Sequence, residues 1–320
     1  MFYFLLHPYE ASNKANYQQT SILFAEGLTY TNIPFTANID YYPDISGNYL
    51  FKKSRIMPTV QYIVTDRPEA FIPELTSYKD MGLKIIIFDT KDEWVRNTST
   101  AHVKLCYRYF MSTCQINVPL IRPLTFTVSK RLISQVRQSI DWSTRKSSIV
   151  WSHRVTNHSV RNYVLNYYKT NNIKVDEYND NFSIPTNLEE LHWWNNTGRR
   201  HSIQYYDYLQ DHKFIDAHGG YFKKADSICQ WDSWKFWEGF ICGCVVISAD
   251  LDYYKIKLPY PLIPYKHYIP IRYDTIDSSY RKLFAMSDND LALIAKEGQD
   301  YVLKYYNPEH MCKYFLESLK

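Results

Sequence analysis

Short apolar runs alternate along the chain with stretches whose apolar positions recur at helical spacing, which predicts repeated strand-and-helix units. Residues 2–6 form an apolar run ending in His7-Pro8, a buried strand followed by a loop. Residues 15–30 carry Ile22, Leu23 and Ala25 on a helix that stops at the Asn-Ile-Pro break of 32–34. Two further runs, TVQYIVT at 59–65 and KIIIFD at 84–89, are apolar almost throughout, with a helix predicted between them at 72–78. Strands of that kind belong in a parallel sheet covered on both faces, and Asp66 and Asp89 then stand at strand ends, where such sheets bind ligands. Residues 105–126 read as strand punctuated by Pro119 and Pro123, 128–140 as helix, and the polar, basic 141–146 as a boundary.

The pattern then repeats. SSIVW at 147–151 is a strand leading through a polar loop to a helix at 159–168, and 174–188 is Asn-rich and predicted as loop. A helix runs into a short strand at 213–217, which Gly219-Gly220 terminates. Asp232 or Ser233 caps the next helix, whose Trp234, Trp237, Phe240 and Ile241 share a face, and a β-branched strand follows at 244–248. After the polar 248–254 and a Pro-rich segment, amphipathic helices at 288–305 and 308–319 close the chain. The expected fold is α/β, with an N-terminal Rossmann-like domain at 1–140, a second at 141–290, and helices at 291–320.

Composition narrows the picture. With 320 residues the chain can form two ordinary cores, and it contains no apolar run long enough to span a bilayer. The N-terminal apolar run has no basic region before it and no small-residue cleavage site after it, so a cytoplasmic location is expected. A net charge of +4 with scattered carriers argues against a nucleic-acid partner. The six cysteines have no framework spacing and read as reduced thiols. Cys242 and Cys244 lie on one side of a strand but have no second ligand pair, so they are expected to pack rather than to hold a metal. The "DLD" of Asp250 to Asp252 reads as a turn. No G-x-G-x-x-G follows the first strand and no G-x-x-x-x-G-K-S/T occurs, which disfavours dehydrogenases and P-loop enzymes. The 30 Tyr, 16 Phe and 8 Trp are expected mostly in cores, and exposed rings can stack on sugars.

The candidate chemistry gathers at the helix opened by Ser233. Its first turns present backbone N–H groups and the positive end of the dipole, where a diphosphate can bind with Ser233 and Lys235. Glu238, one turn further, has two oxygens suited to a ribose diol, so Glu238→Ala is expected to weaken nucleotide binding and leave folding nearly intact. The plainer alternative is an amphipathic helix with an i,i+3 surface pair of Lys235 and Glu238, worth about 0.2–0.5 kcal/mol.

Lys213-Phe214, Gly219, Ser233, Lys235, Glu238, Gly243-Cys244 and Val246-Ile247 together resemble the donor-binding half of GT-B glycosyltransferases, in particular exostosin-like enzymes and their bacterial and viral relatives. Their pattern is K-F, a glycine a few residues on, then S-x-R-x-x-E-x-x-x-x-G-C-x-x-(V/I). Lys235 stands where arginine is usual, and an insertion rich in Lys and aromatics separates Gly220 from Ser233. The resemblance implies two Rossmann-like half-domains facing a cleft, the first binding a glycan or other hydroxyl acceptor and the second a UDP- or GDP-sugar, without a required metal. It also implies a terminal helix that returns to the first domain.

By the same resemblance His153, Arg154 and Arg161 are candidates to meet the diphosphate, alongside Lys213, His218 and Gly219, and each can instead be an ordinary loop or strand residue. His267 and Tyr268, in a P-x-x-x-x-H-Y-I segment, are implied to line the nucleotide pocket. An inverting enzyme would draw its general base from His7, Glu10, Asp66 or Asp89 at the strand ends of the first domain. Two rivals share these features: a sugar-nucleotide epimerase, which would convert donor without acceptor, and a non-catalytic sugar- or nucleic-acid-binding module.

Overall fold

The computed structural model describes residues 1–7, 18–44, 46–89, 101–114, 119–136, 141–153, 158–178, 203–224, 227–229 and 231–320. Glu10 and Arg154 lie outside them, as does most of the predicted loop at 174–188.

Two principal sheets organise the chain, and every pairing within them is parallel. The first comprises β1 (Phe2–Phe4), β2 (Phe35–Ala37), β3 (Tyr62–Thr65), β4 (Lys84–Asp89), β5 (Arg108–Met111) and β6 (Ile121–Pro123), in the spatial order β2-β1-β3-β4-β5-β6. The run KIIIFD shows why a near-continuous apolar strand is needed here: Ile86 and Phe88 join one core and Ile85 and Ile87 join another on the opposite face. Each such side chain contributes about 1.5–3 kcal/mol on burial. Pro123, which has no N–H to donate, is tolerated because β6 is an edge strand.

The second sheet comprises β7 (Lys146–Trp151), β8 (Val175–Glu177), β9 (His212–Asp216), β10 (Val245–Ala249) and β11 (Ile269–Ile271), in the order β8-β7-β9-β10-β11. The insertion after Gly220 is an antiparallel hairpin, Tyr221–Lys224 with Ser227–Cys229, an element the sequence pattern did not announce. It is held by a hydrogen bond from the Phe222 N–H to the Ser159 hydroxyl, 2.9 Å.

Helices α1 (Gln19–Tyr30), α2 (Ile72–Asp80), α3 (Ser159–Thr170), α4 (Ile203–Gln210), α5 (Trp234–Ile241), α6 (Ile276–Phe284), α7 (Asp288–Tyr305) and α8 (Pro308–Glu317) connect or cover the strands. Helix α5 lies close on β9 and β10 because Gly239 faces the sheet; a Cβ there would sit 2.5 Å from Ile215 Cγ2. Gly243, with φ +66°, closes α5 in the left-handed conformation that glycine adopts without strain, and Arg145 donates to its carbonyl at 2.7 Å. Cys244 is buried beside this turn, donating to the Leu209 carbonyl at 3.2 Å, and burial pushes its thiol up to about 12.

Helix α8 crosses from the second sheet to the first and packs on α1, where Gly27 allows close approach to Pro308 and Cys312. Phe315 of α8 meets Phe24, Phe88 and Phe110 at ring distances of 5.0–5.3 Å. The carboxyl edges of the two sheets also touch. Beyond β6 the Phe126 N–H donates to Asp232 Oδ2 at 2.7 Å, and its ring lies 4.3 Å from that of Trp234 at the start of α5. Among the described residues no helix is long and apolar enough to cross a membrane.

Candidate functional site

In an open parallel sheet, neighbouring loops diverge where the strand order reverses, and the gap at the carboxyl ends is the natural ligand site. Here the order reverses twice, between β1 and β3 and between β7 and β9. His7 and Asp66 follow the first pair of strands, and His153 and His218 follow the second.

At the second reversal, Asp216, the last residue of β9, is fully buried and collects a hydrogen-bonded chain. His153 Nε2 lies 2.7 Å from Oδ1, the His218 N–H donates to Oδ1 at 3.1 Å, and the Tyr168 hydroxyl donates to Oδ2 at 2.6 Å. Tyr168 in turn meets the Tyr280 hydroxyl at 2.6 Å, and His218 reaches Tyr280 at 3.3 Å and Tyr273 at 2.8 Å. Burial pushes Asp216 up to about 7 against the lowering pull of Tyr168 and the His218 N–H, with Arg161 and Lys235 adding to that pull. Burial likewise depresses His218 to about 3, helped by Arg161, and holds His153 well below the ordinary histidine range, helped by Arg161 and Lys235.

Two cations from different elements thus act electrostatically on Asp216 and His153. Arg161, in the first turn of α3, donates from Nε to the His218 carbonyl at 3.2 Å. Lys235 lies in the first turn of α5. Ser233, the N-cap of that helix, makes no capping bond through its side chain, and its Oγ has no hydrogen-bond partner among the described residues. The arrangement offers positive charge, a hydroxyl and helix-terminal N–H groups to an anion.

The other sequence candidates distribute as follows. Gly219 is buried in the loop after His218, beside Gly220, whose φ of +95° makes the turn. Lys213 sits at the opposite end of β9, paired with Asp288 at 2.6 Å, and does not join the cluster. His267 precedes β11, accepts from the Ile263 N–H at 3.0 Å and stacks on Tyr301 at 4.2 Å. The buried Tyr268 accepts from the Leu251 N–H at 2.9 Å, holding the loop after β10. Glu238 is 0 % exposed and accepts from the Tyr206 hydroxyl at 3.0 Å.

That burial changes the expectation for Glu238→Ala. Losing the buried carboxylate removes the acceptor of the Tyr206 hydroxyl, so a stability loss of about 1–3 kcal/mol is expected in urea unfolding, with Glu238→Gln milder. An unchanged unfolding midpoint accompanied by lost nucleotide binding would return Glu238 to the ligand.

At the first reversal, Asp66 accepts from the Ser21 hydroxyl at 2.5 Å and from the Ser21 N–H at 3.4 Å, so it neutralises the start of α1. Burial raises it to about 7. Asp89 is buried and accepts from the Tyr109 hydroxyl at 2.5 Å. His7 is only half-buried, its N–H bonded to Gln18 Oε1 at 2.8 Å.

Asp216 was open to sequence reasoning, since it ends an apolar strand just as Asp66 and Asp89 flank theirs. Tyr168, Tyr273 and Tyr280 were not, because in a chain with 30 tyrosines no single one is conspicuous. Among the described residues no three His, Cys, Asp or Glu side chains are arranged to hold a metal ion.

No family model and no curated protein sequence matches the chain. Solved structures do match along its whole length, and the fold they share with it is GT-B. An α-glucosyltransferase in complex with UDP and a 13-mer DNA containing a central A:G mismatch is 10% identical, the match covering 100% of this chain and 99% of that one, with a TM-score of 0.60. Anabaena HepE in complex with UDP-glucose is 10% identical over 100% and 99%, with a TM-score of 0.53. A glycosyltransferase from Rickettsia africae is 8% identical over 100% and 97%, with a TM-score of 0.52.

Proposed function

We propose that this protein is a glycosyltransferase that takes a sugar from a UDP-sugar and passes it to a glycan or other hydroxyl acceptor. The observation that carries the reading is that Arg161 and Lys235, the latter in the first turn of the Ser233-led helix, both act on the Asp216 and His153 pair at the strand-order reversal of the second sheet. The structural neighbours in complex with UDP and UDP-glucose favour uridine over guanosine as the base. The exostosin-like pattern at Ser233, Lys235 and Gly243-Cys244 agrees with a nucleoside-diphosphate sugar as donor and does not choose its base.

In this reading residues 141–290 hold the donor and 1–140 the acceptor. The diphosphate lies against Arg161, Lys235 and the first-turn N–H groups of α5, which stabilise the charge that develops on the leaving UDP. Because two cations and a helix end already meet that charge, transfer requires no divalent cation. His7 is the preferred base for an inverting reaction: it lies in the loop after β1 at the reversal of the first sheet and is half-buried, whereas Asp66 and Asp89 are buried against Ser21 and Tyr109.

Thermal unfolding with UDP, GDP, CMP, ADP and dTDP, each with and without magnesium, tests the reading. UDP alone should raise the midpoint, equally with and without the metal, since ligand at about 100 times its dissociation constant adds about 2.7 kcal/mol. No shift with any nucleotide would remove the donor site. Donor conversion in the absence of acceptor would favour an epimerase instead.

A further inference from the structure

The hydrogen-bonded chain beneath the proposed donor site has a single direction. His218 Nε2 faces Tyr280, Tyr280 faces Tyr168, and Tyr168 donates to Asp216, which also receives the His218 N–H. An acceptor surrounded in this way draws a proton-bearing nitrogen toward it, so the neutral form of His153 carries its hydrogen on Nε2, 2.7 Å from Asp216. Nδ1 is then a bare lone pair. It is buried, in a residue only 6 % exposed, and has no hydrogen-bond partner among the described residues.

A lone pair is the wrong group to present to a phosphate oxygen. A proton on Nδ1 would turn it into a charge-assisted donor, and Asp216 on the far side of the ring would stabilise the resulting imidazolium. The charged and titratable groups around the ring are Asp216 at the end of β9 and His218 after it, Tyr168 and Arg161 on α3, Tyr280 on α6, Tyr273 before α6, and Lys235 on α5. Arg161 and Lys235 oppose protonation while the site lacks an anion, and a bound diphosphate reverses their net effect.

Resting on the donor-site reading, we propose that His153 and Asp216 act as a proton-loaded positioning pair: binding of the donor diphosphate draws a proton from solvent onto His153 Nδ1, which then donates to a phosphate oxygen. No covalent bond is made or broken; one proton moves from buffer to imidazole on binding and returns when UDP leaves. The raised Asp216 and depressed His153 agree with a pair that is short of a full positive charge at neutral pH until an anion arrives.

The test is titration calorimetry with UDP-glucose, whose doubly esterified diphosphate does not itself titrate near neutrality, in buffers of different ionisation enthalpy between pH 6.5 and 8. The proposal expects proton uptake that grows across this range toward one per ligand, with affinity falling by up to about tenfold per pH unit. His153→Gln should bind more weakly, with heats that no longer depend on the buffer; His153→Asn, compared for thermal stability, guards against a folding defect in one variant. Binding with buffer-independent heat in the wild type, or uptake unchanged in both variants, overturns the proton-loaded pair and leaves the donor site standing. If UDP-glucose does not bind the wild type at all, the donor-site reading fails and the pair falls with it.

Discussion

Asp216→Ala is expected to be the most destabilising single change at the site, lowering unfolding free energy by about 3–5 kcal/mol. The carboxylate is fully buried and receives the His153 ring, the Tyr168 hydroxyl and the His218 N–H, and alanine leaves all three without their acceptor. Asparagine keeps an acceptor oxygen and should recover part of the loss. Urea unfolding checks the magnitude, and a loss under about 1 kcal/mol would mean that water replaces the carboxylate at little cost.

The same group sets a pH signature. The folded-state value of Asp216, raised to about 7, lies above its ordinary value, so the folded form binds this proton more tightly than the unfolded chain. Its contribution is therefore full below the ordinary carboxylate range and is lost as pH rises through about 7. Asp66 and Asp232, also raised to about 7 by burial, act in the same sense. His153 and His218 act oppositely: depressed by burial, they favour the fold above the ordinary histidine value and lose that contribution as pH falls. Asp216→Asn should thus flatten the decline in stability between acid and neutral pH.

Replacing Arg161 and Lys235 together by alanine should weaken UDP-sugar binding by about 100-fold or more, because hydrogen bonds to charged groups are worth about 1.5–3 kcal/mol each and about 1.4 kcal/mol is a tenfold change. Both side chains are only half-buried, so the fold should survive with a much smaller loss than Asp216→Ala. Calorimetric titration with UDP-glucose measures the change. An affinity within about threefold of wild type would place the diphosphate elsewhere. Lys235→Arg alone should retain binding, since guanidinium supplies the charge together with a bidentate fork.

How much of this was legible beforehand follows from what each residue type signals. KIIIFD declares a doubly covered strand because nothing else accounts for so unbroken an apolar run, and Ser233 declares a helix start because a hydroxyl can occupy the N-cap. Gly243 was legible only as the residue flanking the strand that follows; that it closes α5 shows in its left-handed backbone. The side on which a polar strand residue lies was less legible. Lys213 and Asp216 belong to the same strand, yet one pairs with Asp288 at its start and the other anchors the buried network at its end. The depth of Glu238 was also hidden, because helical spacing places it near the N-terminus of α5 but does not show that Tyr206 of α4 covers it. The hairpin after Gly220 escaped notice because its alternation is short and mixed with lysines. Helix α6, which supplies Tyr280, followed a Pro-rich stretch whose pattern drew attention to turns.

The donor diphosphate is expected at the strand-order reversal of the second sheet, and a crystal structure of the protein with UDP bound shows whether it lies there. The phosphates should lie within hydrogen-bond reach of Arg161, Lys235 and the N–H groups at the start of α5, with the His153 ring facing a phosphate oxygen. UDP bound at the edge of the first sheet, or at the Lys213 end of β9, would exclude a donor site at that reversal.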